Sequence, residues 1–207
     1  MAQLSLEASA SCAALLVALL SPPVWSSAAP SASAPVPAVA PVARSAPLLG
    51  GNVGSAYCFG DGSGGFCPCA GFGGTGRGCA NSTGFGAALQ ASGSASLSGD
   101  TFSLHATGLP ASAVGLVVRT PFGTISPIGS AFGNGLYCLT GTSVQRGQIQ
   151  TSTTGTLDFQ DFKGAPYGVG KAPGDSDFLQ VWYRDSLNAC AQPAVNFTNA
   201  WFVGWQS

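Results

Sequence analysis

The chain has 207 residues, of which only 7% are Asp, Glu, Lys or Arg, against about 25% in an ordinary soluble protein. Its formal net charge is −1 and the charges are scattered singly, so there is neither a basic stripe for nucleic acid nor an acidic tail. A surface this poor in charge and this rich in glycine must be wetted by hydroxyls, amides and backbone, a balance common among secreted β-proteins and rare among cytosolic enzymes.

The chain opens on a short apolar run, Ala13 to Leu20, closed by Pro22-Pro23. The run is too short to cross a bilayer, which takes about 20 residues, and it fits the apolar core of a secretory signal. Small-residue cleavage sites follow at Ser27-Ala28-Ala29 and at Ala32-Ser33-Ala34. Residues 1–29, or as far as 34, therefore read as a signal peptide, although the amino end carries Glu7 and no Lys or Arg. The expected location is secreted or at the cell surface, with no membrane span. Residues 30–54 are mostly Ala, Pro, Ser and Val, and Pro30, Pro35, Pro37, Pro41 and Pro47 hold them extended as a linker.

Residues 55–84 change character. The stretch from Tyr57 to Gly84 is crowded with glycine and holds Cys58, Cys67, Cys69 and Cys79. No helix or long strand survives that glycine density, so the segment is expected to be a loop-rich knot held by its sulfurs. Residues 85–207 then turn to alternation. Phe102, Leu104 and Ala106 share one face of a strand that Gly108-Leu109-Pro110 closes. Further strands are expected at 87–91, 94–97, 113–119, 136–139, 144–151, 156–160, 177–184 and 199–205. Short strands at this spacing, with no helical period, predict an all-β fold: an antiparallel β-sandwich of about 8–9 short strands, packed as one domain with the stapled segment before it.

Removal of a signal peptide takes away Cys12 and leaves an even set of cysteines, which in an exported chain implies disulfides. Cys67 and Cys69 flank a single proline, and a bridge between them would close a strained ring. They are expected to pair outward with Cys58 and Cys79, in one order or the other. If those four keep to themselves, Cys138 is left for Cys190. A zinc site from the first four cysteines is disfavoured, because the tight pair has one residue between its members instead of two.

Residues that could carry chemistry are few. His105 is the only histidine and points away from the core by alternation, so any Ser-His-Asp triad would have to use it. Asp158 with Asp161, and Asp175 with Asp177 near Asp185, are candidate acid–base pairs for a hydrolase, but single Asp residues in Gly- and Pro-rich turns ordinarily cap those turns. No motif implies a cofactor. Calcium is the alternative, through oxygen-rich loops holding Asp61, Asp175 and Asp177. Trp182, Trp201 and Trp205 are candidate ligand-binding residues, since flat exposed aromatics can stack on sugar rings, although packing in the core is the ordinary fate of tryptophan. Asn81-Ser82-Thr83 and Asn196-Phe197-Thr198 fit the N-glycosylation acceptor pattern.

Several stretches taken together resemble a module carried by exported proteins of planctomycete-type bacteria. They are Tyr57-Cys58-Phe59-Gly60-Asp61-Gly62-Ser63-Gly64, Cys67-Pro68-Cys69, Gly78 to Gly84, Gly86 to Gly93, Gly108-Leu109-Pro110, Phe132 to Cys138, Trp182-Tyr183-Arg184-Asp185 and, more loosely, Asn196 to Ala200. Ala70-Gly71 and Ser186 depart from the pattern. The resemblance implies an exported, disulfide-bonded β-domain and brings no activity with it. The expected function is a non-enzymatic extracellular structural or interaction module contacting a cell surface or polysaccharide. A carbohydrate-binding module is the alternative, and an aspartate-based hydrolase the third reading.

Overall fold

Period-two alternation in the longest strands decides the architecture. In β9 (Ser176–Arg184), Leu179, Val181 and Tyr183 point to one side while Phe178, Gln180 and Trp182 point to the other, and nearly all of them are buried. A strand buried on both faces must lie in a central layer. The computed structural model describes residues 53–99, 101–141, 143–162, 171–188 and 190–207; the expected signal peptide and nearly all of the linker lie outside them. Within these, five strands form an antiparallel sheet in the order β1 (Ser55–Tyr57), β10 (Val195–Gly204), β9, β4 (Val114–Thr120) and β7 (Gln145–Thr151). A smaller antiparallel sheet, β2 (Ala88–Ser92), β3 (Ser103–Thr107) and β8 (Thr156–Phe159), packs on one side. On the other lie the Gly/Cys segment and a hairpin of β5 (Ser130–Phe132) and β6 (Gly135–Tyr137).

The expected antiparallel sandwich is therefore present, with a third, irregular layer over the back of its larger sheet. Residues 94–97 give only an isolated bridge, Ser96 with Gln206, and the three-residue strands β1 and β5 escaped the sequence pattern because alternation needs a longer run to register. Between the sheets, Leu89, Leu104, Val117, Leu157, Phe159, Leu179, Val181, Tyr183 and Val203 make the main core with Phe102, Phe162 and Trp205. Burying each large side chain of this kind contributes about 1.5–3 kcal/mol. Burial also raises the pKa of the Tyr183 hydroxyl, which sits near Asp185 and meets the Asn81 amide at 3.2 Å.

The cover layer is built of backbone lying on backbone. Gly60 N donates to Arg77 O at 2.7 Å, Gly73 N to Gly60 O at 2.9 Å, and Gly86 N to Gly73 O at 2.8 Å. Gly78 lies so close to β10 that an added Cβ would overlap the Phe197 carbonyl. This is why the segment is rich in glycine: any side chain at such a position would hold the layers apart.

Cysteine pairing differs from expectation. Cys58 joins Cys138, Cys67 joins Cys79 and Cys69 joins Cys190, with Cα–Cα distances of 6.1, 5.6 and 6.2 Å. The expected Cys138–Cys190 bridge is thus replaced by two bridges that tie the Gly/Cys segment to the rest of the fold. The physical reason lies at Pro68. A single 3-10 turn, Pro68–Ala70, puts Cys69 in a left-handed conformation with φ 56°. Cys67 is then buried against Cys79, while Cys69 stands exposed where Cys190 reaches it. Bridges spanning 80 and 121 residues are each worth about 4.5–5 kcal/mol on the chain-entropy model.

Side-chain amides close the flanks of the sandwich. At a bulge in β10, the Asn199 amide accepts from Leu89 N at 2.7 Å and donates to Leu89 O at 3.1 Å, acting as a strand residue for β2. On the opposite flank, Gln148 and Gln150 of β7 donate to the Gln160 and Asp158 carbonyls, both at 2.6 Å. Unpaired sheet edges are covered in this way.

Two outcomes follow. Chymotryptic digestion without reduction should release the Cys58 peptide joined to the Cys138 peptide, and a cluster linking Cys67-Pro68-Cys69 to both Cys79 and Cys190; a peptide joining Cys138 directly to Cys190 would contradict the pairing. Asn199→Ala strands two buried backbone groups of Leu89 and should lower unfolding free energy by about 2–4 kcal/mol in a denaturant titration.

Candidate functional site

The cover layer does not reach across the whole back of the five-stranded sheet, and the uncovered part is a groove. Its floor is a row of side chains fixed by register: Trp182 of β9 lies opposite Leu116 of β4 on one side and Phe197 of β10 on the other. One wall is the β5–β6 hairpin, where Tyr137 and Phe132 meet the Phe197 ring with centroids 5.6 and 6.2 Å away. The rim beside the hairpin turn is the chain from Gln192 to Val195, which contains a cis Gln192–Pro193 bond. The concavity encloses about 730 Å³, and four aromatic side chains, Phe132, Tyr137, Trp182 and Phe197, line it with Leu116, Val118 and Val144.

Two cations complete the lining, Arg184 on β9 and Arg146 on β7, and among the described residues no carboxylate does. Partial burial raises the pKa of the Tyr137 hydroxyl, and the positive charge of Arg146 opposes that rise. The rim is held rigidly. Asn134, buried in the hairpin turn, donates from Nδ2 to Asn188 O at 2.9 Å, accepts from Ala191 N at 2.7 Å, and donates from its own backbone N to Val195 O at 2.8 Å. The Cys69–Cys190 bridge ties the same stretch to the Gly/Cys segment. An apolar concavity with a few convergent polar groups on a fixed frame is the general form of a small-molecule or glycan site.

Of the three tryptophans named from the sequence, only Trp182 belongs to this groove. Trp201 packs against the core on the opposite face and donates its indole N–H to Val53 O at 2.7 Å. Trp205 is buried, edge-on to Phe102, with its N–H given to Asp177 Oδ2 at 2.7 Å. As binding residues these two are corrected to packing residues, because β10 turns them towards the smaller sheet.

The calcium candidates are likewise occupied by protein donors. Asp61 accepts from Ser63 N at 3.0 Å, from the Ser63 hydroxyl, and from Gly76 N at 2.9 Å. Asp175 accepts from Ala172 N at 2.8 Å. Asp177 is fully buried and accepts from Arg119 Nε at 2.6 Å, from Lys171 Nζ and from the Trp205 indole. Burial pulls the Lys171 pKa down to about 8, with Asp177 only partly offsetting it. Carboxylates engaged in this way act as turn caps and a structural ion pair, and they do not fit a calcium cage. Among the described residues no group of three or more His, Cys, Asp or Glu is arranged to hold a metal ion.

The aspartates proposed as acid–base pairs part company. Asp185 is buried and accepts from Ser82 N at 2.9 Å, Asp161 is exposed in a left-handed conformation with φ 62°, and Asp158 turns to His105. That last contact belongs to a row across the outer face of the smaller sheet. His105 Nδ1 lies 2.5 Å from Asp158 Oδ1, and Nε2 lies 2.7 Å from Ser92 Oγ. The connectivity is that of a Ser-His-Asp triad. Catalysis by such a triad also requires a carboxylate shielded from water and donors preorganised for the oxyanion. Here the Asp158 side chain is 63% exposed and that of His105 36% exposed, on an open strand face. The row is an exposed cross-strand hydrogen-bond ladder.

The asparagines of both glycosylation acceptor patterns are also buried. The Asn81 Nδ2 donates to Gly108 O at 2.7 Å, and that of Asn196 to Ala80 O at 2.9 Å. Sequence reasoning missed Arg146, Arg184, Phe132 and Tyr137 as site residues, since nothing local marks residues brought together from four strands. Comparison with known proteins leaves the assignment to the geometry: no family model, no curated protein and no solved structure matches the chain.

A fluorophosphonate probe is expected to leave the protein unlabelled. Covalent labelling that disappears in Ser92→Ala would make the exposed row catalytic after all.

Proposed function

We propose that this chain is an exported, non-enzymatic interaction module that binds a glycan in the groove over Trp182. The observation that carries the reading is the placement of one half-buried indole at the centre of a fixed aromatic concavity, with Phe132, Tyr137 and Phe197 around it. Sugar rings present apolar C–H faces bounded by hydroxyls, and a flat indole beside guanidinium and amide donors complements both parts. Export is supported by three disulfides, which persist in oxidising compartments, and by the apolar run from Ala13 to Leu20. Among the described residues no helix is long and apolar enough to cross a membrane. A purely structural role would leave the groove without a ligand.

The test is electrophoresis of the native protein through gels loaded with single polysaccharides, followed by titration of indole fluorescence with any that retard it. Trp182→Ala, with disulfides and melting temperature checked, should weaken binding by about tenfold or more, as expected for loss of a stacking contact worth about 1.5 kcal/mol. Retardation unchanged in Trp182→Ala, or absent with every polysaccharide tried, would overturn the reading.

A further inference from the structure

We infer that the groove selects a polysaccharide carrying carboxylates, a uronic-acid polymer, over the neutral chain of the same sugars. This rests on the glycan reading above and adds to it the chemical class of the ligand. The argument starts from what the chain does with its few cations. Arg119 is tied to Asp177, Lys171 to the same carboxylate, and Arg77 donates to Gly86 O at 3.0 Å. Among the described residues, Arg146 and Arg184 are exposed, make no ion pair, and open on one groove that no Asp or Glu lines.

Their placement is set by the sheet. Arg184 stands two residues beyond Trp182 on the same face of β9, opposite Val195 of β10. Arg146 lies opposite Val118, which is itself paired with Gln180, two residues before Trp182. The two guanidinium-bearing positions thus bracket the indole, ~13 Å apart along the strands and ~10 Å apart across them at ordinary strand spacings. A polymer lying across Trp182 with anionic groups at intervals can place one at each end and a sugar face on the indole between them.

A planar guanidinium fork matches a carboxylate through two parallel hydrogen bonds. A densely sulfated chain is the less suitable partner, because the protein as a whole is slightly acidic, with a formal net charge of −1, and has no extended basic field to draw one in. An acidic peptide would satisfy the two arginines but would leave the aromatic floor without the repeating flat faces that a sugar chain supplies.

The experiment compares sodium polygalacturonate with the same polymer after its carboxyl groups are reduced to alcohols, using wild type, Arg146→Gln/Arg184→Gln and Trp182→Ala. The wild type is expected to bind polygalacturonate about tenfold more tightly than the reduced polymer, and the double arginine variant to lose that preference. Trp182→Ala should weaken both polymers alike. Equal affinity of the wild type for the two polymers, or binding of neutral polysaccharides alone, overturns carboxylate selection and leaves the glycan reading standing. Failure of every polysaccharide overturns both. Poly-glutamate or dextran sulfate binding as tightly as polygalacturonate, and depending on the arginines but not on Trp182, overturns the inference in favour of recognition by charge alone.

Discussion

The middle strands of the central sheet, β9 and β10, are buried on both faces, and one of the sheet's two covers has almost no regular structure. That is the constraint on which the remainder depends. A buried irregular layer cannot pair its backbone groups by a repeating ladder, and each unpaired group costs about 1–3 kcal/mol. Side-chain amides supply the missing partners. Gln180, fully buried in mid-strand, donates to Leu136 O at 2.9 Å and Thr198 O at 2.7 Å and accepts from Cys138 N at 3.0 Å, so it joins the hairpin, the β10 bulge and β9 at one point. Asn81, Asn134, Asn196 and Asn199 do the same at other junctions. The chain is poor in charge because its polar work is internal and directional, and neutral amides can be buried at far lower cost than ions.

The groove is a by-product of where that cover stops. Its floor is the same sheet face that elsewhere lies beneath Leu136 and the Cys58–Cys138 bridge. Its walls are the margins of the cover, the hairpin and residues 192–195, and Asn134 of the hairpin turn with Cys69–Cys190 pins them together. A site assembled from sheet and stapled loops has little conformational freedom to lose when a ligand arrives, which favours binding by a surface of modest size. The covalent links therefore serve the concavity as well as the fold.

Legibility in the sequence followed the range of the interaction. Fold class was readable because alternation, as at Phe102, Leu104 and Ala106, is a property of neighbouring residues. Eight of the strand positions expected from it carry strands in the structure, though Ser94 to Leu97 does not. Oxidised cysteines were readable as a set, but their partners were not, because the turn at Pro68 that sends Cys67 and Cys69 in opposite directions depends on one residue's left-handed backbone. Trp182 could be named but not told apart from Trp201 and Trp205, since which face a strand residue takes is fixed by the sheets on either side of it. Arg146 and Arg184 lie 38 positions apart and gain significance only through the pairing of β4 with both β7 and β9.

Asn81 and Asn196 carry a consequence for how the molecule can be made. Each satisfies the acceptor pattern for an attached sugar, yet each uses its amide nitrogen where the Gly/Cys segment joins the sheets, Asn81 on Gly108 O beyond β3 and Asn196 of β10 on Ala80 O. Oligosaccharide transfer in a eukaryotic secretory pathway acts on the nascent chain, before that junction closes. A sugar tree on either nitrogen would hold the cover away from the sheet and leave the cysteines to oxidise with the wrong partners. The chain is thus suited to a compartment that forms disulfides without modifying Asn-x-Ser/Thr, and any production host has to be chosen on the same terms.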